Sequence, residues 1–452
     1  MPNQHYDLIA IGAGSAARDG AKKAHTEHGA KVALVEHRLW GGSCPNVACS
    51  PTKAYLVSAE LAHQVNSLAD KIGIETGPAK TDLARVKARK ESLKKPQPKW
   101  IDDLRTAGFD TYEGTATFTN PHTIRVGDQE LTADRILIAT GSRTAVPPIE
   151  GIDDVDWLDH VSALELEELP QSMLVVGAGA VGLEFGQAFA RFGSSVTIVD
   201  AADHIAPRSD QQAAKQLAAA LEAEGVRLIL SSFVKSVTAE EATIVPRAGE
   251  GEEQISFDRI LLASGRLPNI EELNLEAAGV ETHELGIKVD EHLRTNVKGT
   301  WAAGDVTGIA QFTPVAQYQA RIAVEDMFAA TGRTADYSIL PTAIFTDPEL
   351  AAVGLTQQAA EEQGHEADTV VHPLKGVRRA SYTDAEHGLY KIIFDRPSRR
   401  VLGLHVVAPH ASEVVQGFSI GLRLGVTIDQ LAEAHHVFPT IGEGVKAAAE
   451  QA

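Results

Sequence analysis

The stretch that decides the fold reads Tyr6-Asp7-Leu8-Ile9-Ala10-Ile11-Gly12-Ala13-Gly14-Ser15-Ala16-Ala17. Its apolar first half predicts a strand over residues 6–11, and its small residues lead into a helix that we expect to end near His28. Gly12 and Gly14 permit a tight turn, and Ser15 opens the helix. In such a turn the backbone amides can approach a pyrophosphate at the helix N-terminus.

A second strand and an acidic residue complete this unit. Residues 31–35 predict the strand, and Glu36 follows it at the distance at which an acid hydrogen-bonds a ribose hydroxyl. A glycine fingerprint alone is weak, but here strand, glycines, helix, strand and acid occur in the required order. The N-terminal region therefore predicts a dinucleotide-binding unit.

The same pattern occurs again in the middle of the chain. A strand predicted over residues 172–176 leads to Gly177, Gly179 and Gly182, and the following helix is expected to end near Phe192. A further strand over residues 195–199 is followed by Asp200. Glycines that serve only helix packing are the alternative, but repetition of the full unit argues against it. The sequence thus predicts two dinucleotide sites.

The residues after the second unit favour NADH over NADPH. A carboxylate at Asp200 accepts hydrogen bonds from a free 2′-hydroxyl and repels a 2′-phosphate. The next residues are Ala201 and Ala202, where an arginine would favour the phosphate. Arg208 lies farther along and is interpreted as a surface residue.

The chain has two cysteines, both in Gly41-Gly42-Ser43-Cys44-Pro45-Asn46-Val47-Ala48-Cys49-Ser50-Pro51-Thr52-Lys53. A structural disulfide would close too short a loop to restrain the unfolded chain, and a zinc site would need about four ligands, so we predict no metal site. Amides at a helix N-terminus favour the reactive thiolate. The pair is therefore predicted to be a redox-active dithiol, and Pro51 is expected to interrupt its helix.

Composition limits the possible partners. The 452 residues are 44% hydrophobic and 23% charged, with a net charge of −20, which disfavours nucleic acid or an anionic membrane as a partner. No signal-peptide pattern and no apolar run long enough to span a bilayer are found. We expect a cytoplasmic protein, where a close cysteine pair is more often catalytic than structural.

With these motifs the chain resembles the flavoprotein disulfide reductases along essentially its whole length. The resemblance rests on the cysteine segment, on both glycine fingerprints, and on four further runs. These are Ile138-Ala139-Thr140-Gly141-Ser142, Leu262-Ala263-Ser264-Gly265-Arg266-Leu267-Pro268-Asn269, Ala302-Ala303-Gly304-Asp305 and Phe345-Thr346-Asp347-Pro348. Residues 181–193 and 443–448 are most similar to mercuric-reductase-like members of that family.

The resemblance implies an α/β protein with two Rossmann-like dinucleotide-binding domains and a C-terminal α+β dimerisation domain. An FAD-binding domain would comprise residues 1–145 and 272–335, an NAD(P)H-binding domain residues 146–271, and the dimerisation domain residues 336–452. A homodimer is expected. From the residues themselves, the segment 238–257 predicts a surface hairpin and the basic segment 85–99 a solvated helix.

The resemblance also implies roles for single residues. Cys49 would face the flavin, Cys44 would be the outer thiol that meets the acceptor, and Lys53 would pair with Glu184 beside the flavin. Gly304 and Asp305 would contact the flavin's ribityl-pyrophosphate portion. Further cofactor contacts are expected from Gly42, Ser43, Thr140, Gly141, Gly265 and Arg266.

One departure from the family pattern concerns the acid–base group. Members that reduce disulfides carry a histidine directly before a C-terminal Pro-Thr, followed by a glutamate. Here Glu443 matches the glutamate, but Phe438 occupies the histidine position, which argues against a dihydrolipoamide dehydrogenase or a glutathione reductase. His436 is two residues upstream, about 7 Å away in an extended chain, and would replace the missing base only with a shift of the backbone; the alternative is an interface or surface histidine.

Mercuric-reductase-like members carry a tyrosine at the position of Phe438, which favours that comparison. Against it, these 452 residues have no C-terminal cysteine pair, and we expect no N-terminal metal-capturing domain, so we expect poor handling of mercuric ion. The leading hypothesis is that electrons pass from NADH through FAD to the Cys44–Cys49 dithiol. They then reach a small thiol-reactive, disulfide or sulfur-containing acceptor. The alternatives are direct reduction of quinones or oxygen by the flavin, and a redox-sensing flavoprotein.

Overall fold

The computed structural model describes residues 4–452, which separate into two compact units. The first unit contains the residues up to Thr52 together with Lys90–Ala145 and Gly265–Asp336. The second contains Lys53–Arg89, Val146–Ser264 and Tyr337–Ala452. The three domain boundaries expected from the sequence remain a prediction.

The first unit is built on a parallel five-stranded sheet. Its strands, in spatial order, are Thr300–Ala302, Ile136–Ile138, Leu8–Ile11, Val32–Glu36 and Asp110–Glu113. Leu8–Ile11, near the middle, is wholly buried, as expected for a parallel strand with both faces covered. The single strand predicted over residues 6–11 is two strands, Gln4–Tyr6 and Leu8–Ile11, which belong to different sheets.

Smaller sheets and helices complete the first unit. A four-stranded sheet has the order Gln4–Tyr6, Gln129–Ala133, Thr123–Val126 and Ala116–Asn120, and two strand pairs are Ser142–Thr144 with Arg266–Pro268 and Thr282–His283 with Gly286–Ile287. The helices are Ser15–His28, Ser43–Asn46, Gln97–Thr106, Leu275–Ala278 and Thr313–Ala329, with 3-10 turns at Glu271–Leu273 and Asp305–Thr307. The first helix ends at Gly29, in the left-handed conformation, as the sequence predicts.

The second unit contains another parallel sheet. Its strands are Arg227–Ile229, Ser195–Val199, Ser172–Val176 and Arg259–Leu262, in that spatial order, and its helices are Ala180–Phe192 and Gln211–Ala223. An antiparallel sheet of Ser232–Val237, Glu241–Pro246 and Glu253–Ser256 follows. The last two strands confirm the predicted hairpin.

The C-terminal part of the second unit is an antiparallel five-stranded sheet with helices. The strands are Thr342–Ile344, Glu349–Gly354, Val401–Ala408, Leu389–Asp395 and Ala367–Pro373, and the helices are Gln357–Glu362, Ala411–Arg423, Ile428–Glu433 and Glu443–Ala449. Short 3-10 turns lie at Ile152–Asp154, Ala163–Glu165, Leu374–Gly376 and Ala380–Tyr382.

Two further helices are Cys49–His63, continued by a π-helix at Gln64–Leu68 and a 3-10 turn at Asp70–Ile72, and Leu83–Ser92. The single solvated helix expected over residues 85–99 is interrupted, since Pro96 disfavours helical backbone in the residue before it. Lys90, within that segment, is only 1% exposed. Across residues 4–452, no helix combines the length and the apolar character needed to cross a bilayer.

Candidate functional site

The first glycine turn follows the buried strand Leu8–Ile11. Gly12 has φ +109°, and a Cβ there would lie 2.4 Å from the carbonyl oxygen of Ala139. Gly14 precedes helix Ser15–His28, whose first turn exposes the amides that a pyrophosphate needs. The sequence thus places glycine where a side chain would collide.

Glu36 lies against this turn. One carboxylate oxygen accepts a hydrogen bond from the Ala13 amide at 2.9 Å, and the other accepts from the amides of residues 37–39 at 2.8–3.1 Å. Gly42, with φ +80°, packs against Gly14, because a Cβ on Gly42 would lie 2.5 Å from the Gly14 Cα. Gly14 itself has room, since its nearest neighbour would lie 3.8 Å from an added Cβ. The turn, the acid and the start of the cysteine segment therefore form one cradle that fits a dinucleotide.

A cluster of polar side chains in the first unit surrounds Asp305. Its carboxylate accepts from the Ser142 hydroxyl at 2.7 Å, and Arg266 Nε donates to the same hydroxyl at 2.8 Å. Gly304 has φ +86°, and its amide donates to Gln319 Oε1 at 2.7 Å. Ser142 ends one of the quoted motif runs but was not chosen as a site residue, and Gln319 lies in no motif.

The remaining residues predicted around this group lie in the connecting turns of the first unit. The Thr140 hydroxyl donates to the Asn269 carbonyl at 2.7 Å. Gly141 has φ +73° and Gly265 φ +147°, conformations that favour glycine. Gly265 and Arg266 belong to the same unit as the first glycine turn.

The two cysteines lie at the starts of two successive helices. Cys44 is in the short helix Ser43–Asn46 and is partly exposed, whereas Cys49 begins the helix Cys49–His63 and is exposed. Pro51 does not interrupt this helix as expected, because it occupies the first turn, where a proline displaces no intrahelical hydrogen bond. Each thiol therefore lies in the first turn of a helix.

Two polar residues that the sequence did not identify contact this region. The Thr313 hydroxyl, at the start of helix Thr313–Ala329, lies 3.9 Å from Cys49 Sγ. Asn46 is buried, and its amide group donates to the carbonyls of Trp40 and Gly42 at 3.0 and 2.7 Å. These contacts fix the backbone on either side of Cys44.

Lys53 and Glu184 meet in the second unit. The Lys53 Nζ lies 2.6 Å from Glu184 Oε2, and the other carboxylate oxygen accepts from the Phe345 amide at 3.0 Å. Lys53 Nζ also lies 4.3 Å from the centroid of the Phe345 ring. Glu184 is 5% exposed and Lys53 is partly exposed, so the sequence-predicted pair is a charge-assisted hydrogen bond with a buried carboxylate.

The second glycine turn has the same construction as the first. Gly177 has φ +114°, and a Cβ there would lie 2.5 Å from the Ala263 carbonyl oxygen. Gly182 packs on Gly177, and Gly179 has open space around it. The Asp200 carboxylate accepts from the Ala178 amide at 2.6 Å and from the Ala202 amide at 2.7 Å. This turn also fits a dinucleotide.

The C-terminal residues form a cavity of about 390 Å³. Its lining includes His435, His436, Phe438, Glu443 and Lys446. Burial lowers the pKa of His436 and the Lys446 ammonium lowers it further, while Glu443 and a hydrogen bond to the Gly442 backbone act in the opposite direction.

The lining side chains differ in exposure. Phe438 is 71% exposed, and His436 is half-buried. Glu443 accepts a hydrogen bond from the Thr440 amide at 2.8 Å. His436 and Glu443 line the same cavity, although only Glu443 matches the family's histidine–glutamate pattern.

Comparison with family models gives two matches. "Pyridine nucleotide-disulphide oxidoreductase" matches residues 6–320, and "Pyridine nucleotide-disulphide oxidoreductase, dimerisation domain" matches residues 340–449.

Similar proteins were found at comparable length. Mercuric reductase from Staphylococcus aureus is 37% identical, with 98% of this chain and 82% of the relative covered. Mitochondrial dihydrolipoyl dehydrogenase from Pisum sativum is 33% identical over 98% of this chain and 90% of its own. Among solved structures, the Cu(II) complex of the HOCl-induced flavoprotein disulfide reductase RclA from Escherichia coli is 30% identical, with a TM-score of 0.88 and 100% of both chains covered.

Proposed function

Because this chain belongs to the pyridine nucleotide-disulphide oxidoreductase family, we propose that it uses NADH and FAD to keep a Cys44–Cys49 dithiol reduced for a small acceptor. The predicted family and α/β fold class are confirmed by the matches. The acceptor is a thiol-reactive, disulfide or other sulfur-containing small molecule. The observation that carries the proposal is the position of both cysteines at helix N-termini of the unit that holds the first dinucleotide cradle.

Bound FAD would supply two-electron transfer between the pyridine nucleotide and the cysteine pair. The pair begins as a disulfide and, with two electrons and one proton, becomes one thiol and one thiolate. The Cys44 thiolate then attacks one sulfur of a disulfide acceptor, forms a mixed disulfide and releases the first acceptor thiolate. The remaining thiol proton leaves Cys49 and passes to the released acceptor thiolate, and the Cys49 thiolate then attacks Cys44 and releases the second acceptor thiolate. The pair is then oxidised again, and the acceptor has gained two electrons.

We assign three further side chains to this cycle. The Thr313 hydroxyl, near Cys49, would stabilise the inner thiolate. Lys53, held by Glu184, would supply a fixed positive charge beside the reduced cofactor. His436, in the cavity with Glu443, would return a proton to a leaving acceptor thiolate in place of the histidine missing at Phe438.

NADH is the proposed reductant because of the environment of Asp200. Its carboxylate lies beside the second glycine turn and would repel a 2′-phosphate. Arg247, which sequence reasoning did not consider, reaches the Ala201 carbonyl at 3.5 Å, so its cation lies near the same strand end. The preference for NADH over NADPH therefore depends on the balance between the negative charge of Asp200 and the positive charge of Arg247.

A homodimer is proposed through the C-terminal domain. Residues 340–449 match the family's dimerisation domain, and large apolar side chains are exposed there: Ile420 at 66%, Leu424 at 81% and Val437 at 76%. A second copy would cover them. The thiol cycle fits the cytoplasm, the reducing compartment that the sequence predicts.

The test is NADH oxidation by the FAD-loaded protein with mercuric ion, cupric ion, lipoamide and other disulfides, and quinones. Cys44→Ser and Cys49→Ser should each abolish turnover with the true acceptor while retaining FAD. Anaerobic titration should show about two electrons more per chain in the parent than in either variant. Full quinone turnover in both variants would establish the flavin-direct alternative, and negligible turnover with every acceptor would favour a redox sensor.

A further inference from the structure

Arg18 places a guanidinium on the backbone that leads to Cys44. It lies in the first turn of helix Ser15–His28, and its Nη2 donates to the Gly41 carbonyl at 3.2 Å. The described residues give it no salt bridge, and its Nε is buried without a hydrogen-bond partner. A cation in such surroundings is costly unless an anion is close.

Trp100, in helix Gln97–Thr106, holds this arrangement together. The Arg18 guanidinium lies 4.6 Å from the centroid of the indole ring. A Cβ added to Gly41 would lie 2.6 Å from the same ring, so the indole packs directly on the loop. The Nε1 of Trp100 is also buried without a partner. The loop before Cys44 is therefore clamped between the glycine helix and Trp100.

Two charged groups next to Arg18 and Trp100 have partners of their own. Lys95 lies over the Trp100 ring at 3.9 Å but is paired with Asp103. Asp19, next to Arg18, is bound by Arg321. Other titratable groups on these segments are His37, Arg38, Lys99 and Asp102, and Cys49 begins the next helix. Arg18 is thus a cation that touches the loop and has no salt bridge among the described residues.

We propose that Arg18 is a positioning residue for the outer thiol: it holds the cysteine loop through Gly41 and supplies the positive charge that keeps Cys44 a thiolate. The inference rests on the proposed role of Cys44 as the attacking thiol. Burial lowers the pKa of Arg18, and the charges of Cys44 and, after it, Asp19 oppose that change, which agrees with the contact between Arg18 and the loop before Cys44. The second possible anion is the cofactor pyrophosphate at the Gly14–Ser15 turn, and the test separates the two.

The test measures the reactivity of Cys44 alone. In a Cys49→Ser background Cys44 is the only thiol of the chain, so its alkylation by iodoacetamide is followed by mass spectrometry from pH 5 to pH 10 on FAD-loaded protein. Arg18→Gln should slow alkylation at neutral pH about tenfold, which is one pKa unit, and leave the rate at high pH unchanged. Arg18→Lys, which keeps the charge, should stay close to the parent.

Arg125→Gln is the matched control, since it removes one exposed arginine charge from strand Thr123–Val126 of the same unit. It should not change the profile. An unchanged profile in Arg18→Gln would overturn the proposal, as would Arg18→Lys behaving like Arg18→Gln. Loss of FAD affinity with an unchanged thiol profile would assign the charge to the pyrophosphate instead.

If Arg18→Gln does not fold, Arg18→Lys still decides, because a tenfold slower neutral rate in that variant contradicts a role of charge. Alkylation requires neither acceptor nor turnover. A shifted profile in an enzyme without dithiol-dependent turnover would therefore refute the proposed function and leave the coupling of Arg18 to Cys44 intact.

Discussion

Lys53 and Glu184, 131 residues apart in sequence, form a hydrogen-bonded ion pair with a distance of 2.6 Å between Nζ and Oε2. The carboxylate is buried, whereas the lysine side chain is 36% exposed. Water therefore reaches the cation but not the anion. Removing the lysine should therefore cost more folding stability than removing the carboxylate charge. Water can solvate an unpaired ammonium here, but it cannot reach the buried carboxylate.

Lys53→Met should lower the free energy of unfolding by about 1–3 kcal/mol, since Glu184 then stays buried with the Phe345 amide as its remaining donor. Glu184→Gln should cost less, because the freed ammonium can be hydrated. Urea unfolding of both single variants and the double variant measures the coupling. Additive losses would show that the two side chains do not interact in solution.

Asp200 should control the choice of coenzyme. Asp200→Ser removes the charge that repels a 2′-phosphate, so the ratio of kcat/KM for NADPH to that for NADH should rise by roughly tenfold or more. Steady-state kinetics with both coenzymes give the ratio. Arg247→Ala is the companion variant and should lower NADPH use in the Asp200→Ser background. A ratio that does not change in Asp200→Ser would exclude Asp200 from the coenzyme site.

Breaking a buried ion pair in the second unit should lower the stability of that unit. Lys391 Nζ lies 2.8 Å from Asp210 Oδ2, both residues are about 6% exposed or less, and Asp210 also caps helix Gln211–Ala223. Lys391→Met leaves the carboxylate buried without its cation, and we expect a loss of about 3–5 kcal/mol in unfolding free energy. Lys391→Met combined with Asp210→Asn should recover part of it, and equal losses in the single and double variants would contradict the pairing.

His405 should make this region sensitive to acid. Burial lowers the pKa of His405 below its ordinary value of 6.5, and its Nε2 lies 3.0 Å from the Leu355 carbonyl oxygen. The unfolded chain then takes up the proton first, so stability is full above pH 6.5 and decreases as the pH falls through the folded-state value. His405→Gln should flatten the pH dependence of the unfolding midpoint, and an unchanged slope would exclude His405 as its source.

The sequence predicted those parts of the molecule in which local pattern and tertiary structure agree. Both glycine turns lie where strand and helix periodicity placed them, because the chain must leave a buried strand and begin a helix within a few residues. Gly12 and Gly177 adopt positive φ at equivalent positions. Lys53 and Glu184 were paired through family resemblance, and their contact is observed.

What the sequence missed depends on contacts between distant segments. Arg18 and Trp100 match no motif, and their relation to Gly41 exists only after three segments have packed together. Pro51 was misjudged, because a proline is tolerated or disruptive according to its position in the helix, and the first residue of that helix, Cys49, was not identified. Asn46 was overlooked for a similar reason, since its role is set by the carbonyls that it reaches.

The pH dependence of acceptor reduction should identify the base. Burial and Lys446 lower the pKa of His436 below its ordinary value of 6.5, so the imidazole is already neutral at neutral pH. A rate that needs the neutral imidazole as a base should rise with pH in the acidic range and then level off. His436→Gln should remove this rise and reduce kcat by roughly 100-fold or more at neutral pH.

His435→Gln is the matched control, since this exposed neighbour lines the same cavity and should leave the profile unchanged. Measuring kcat and KM separately distinguishes loss of proton transfer, which lowers kcat, from loss of binding, which raises KM. Phe438→His would place a second imidazole at the position the family uses. If it increases the rate in the His436→Gln background, it shows that the cavity, rather than one sequence position, determines where the proton is transferred. If the His436→Gln enzyme keeps the parental pH profile, solvent supplies the proton and His436 only lines the cavity.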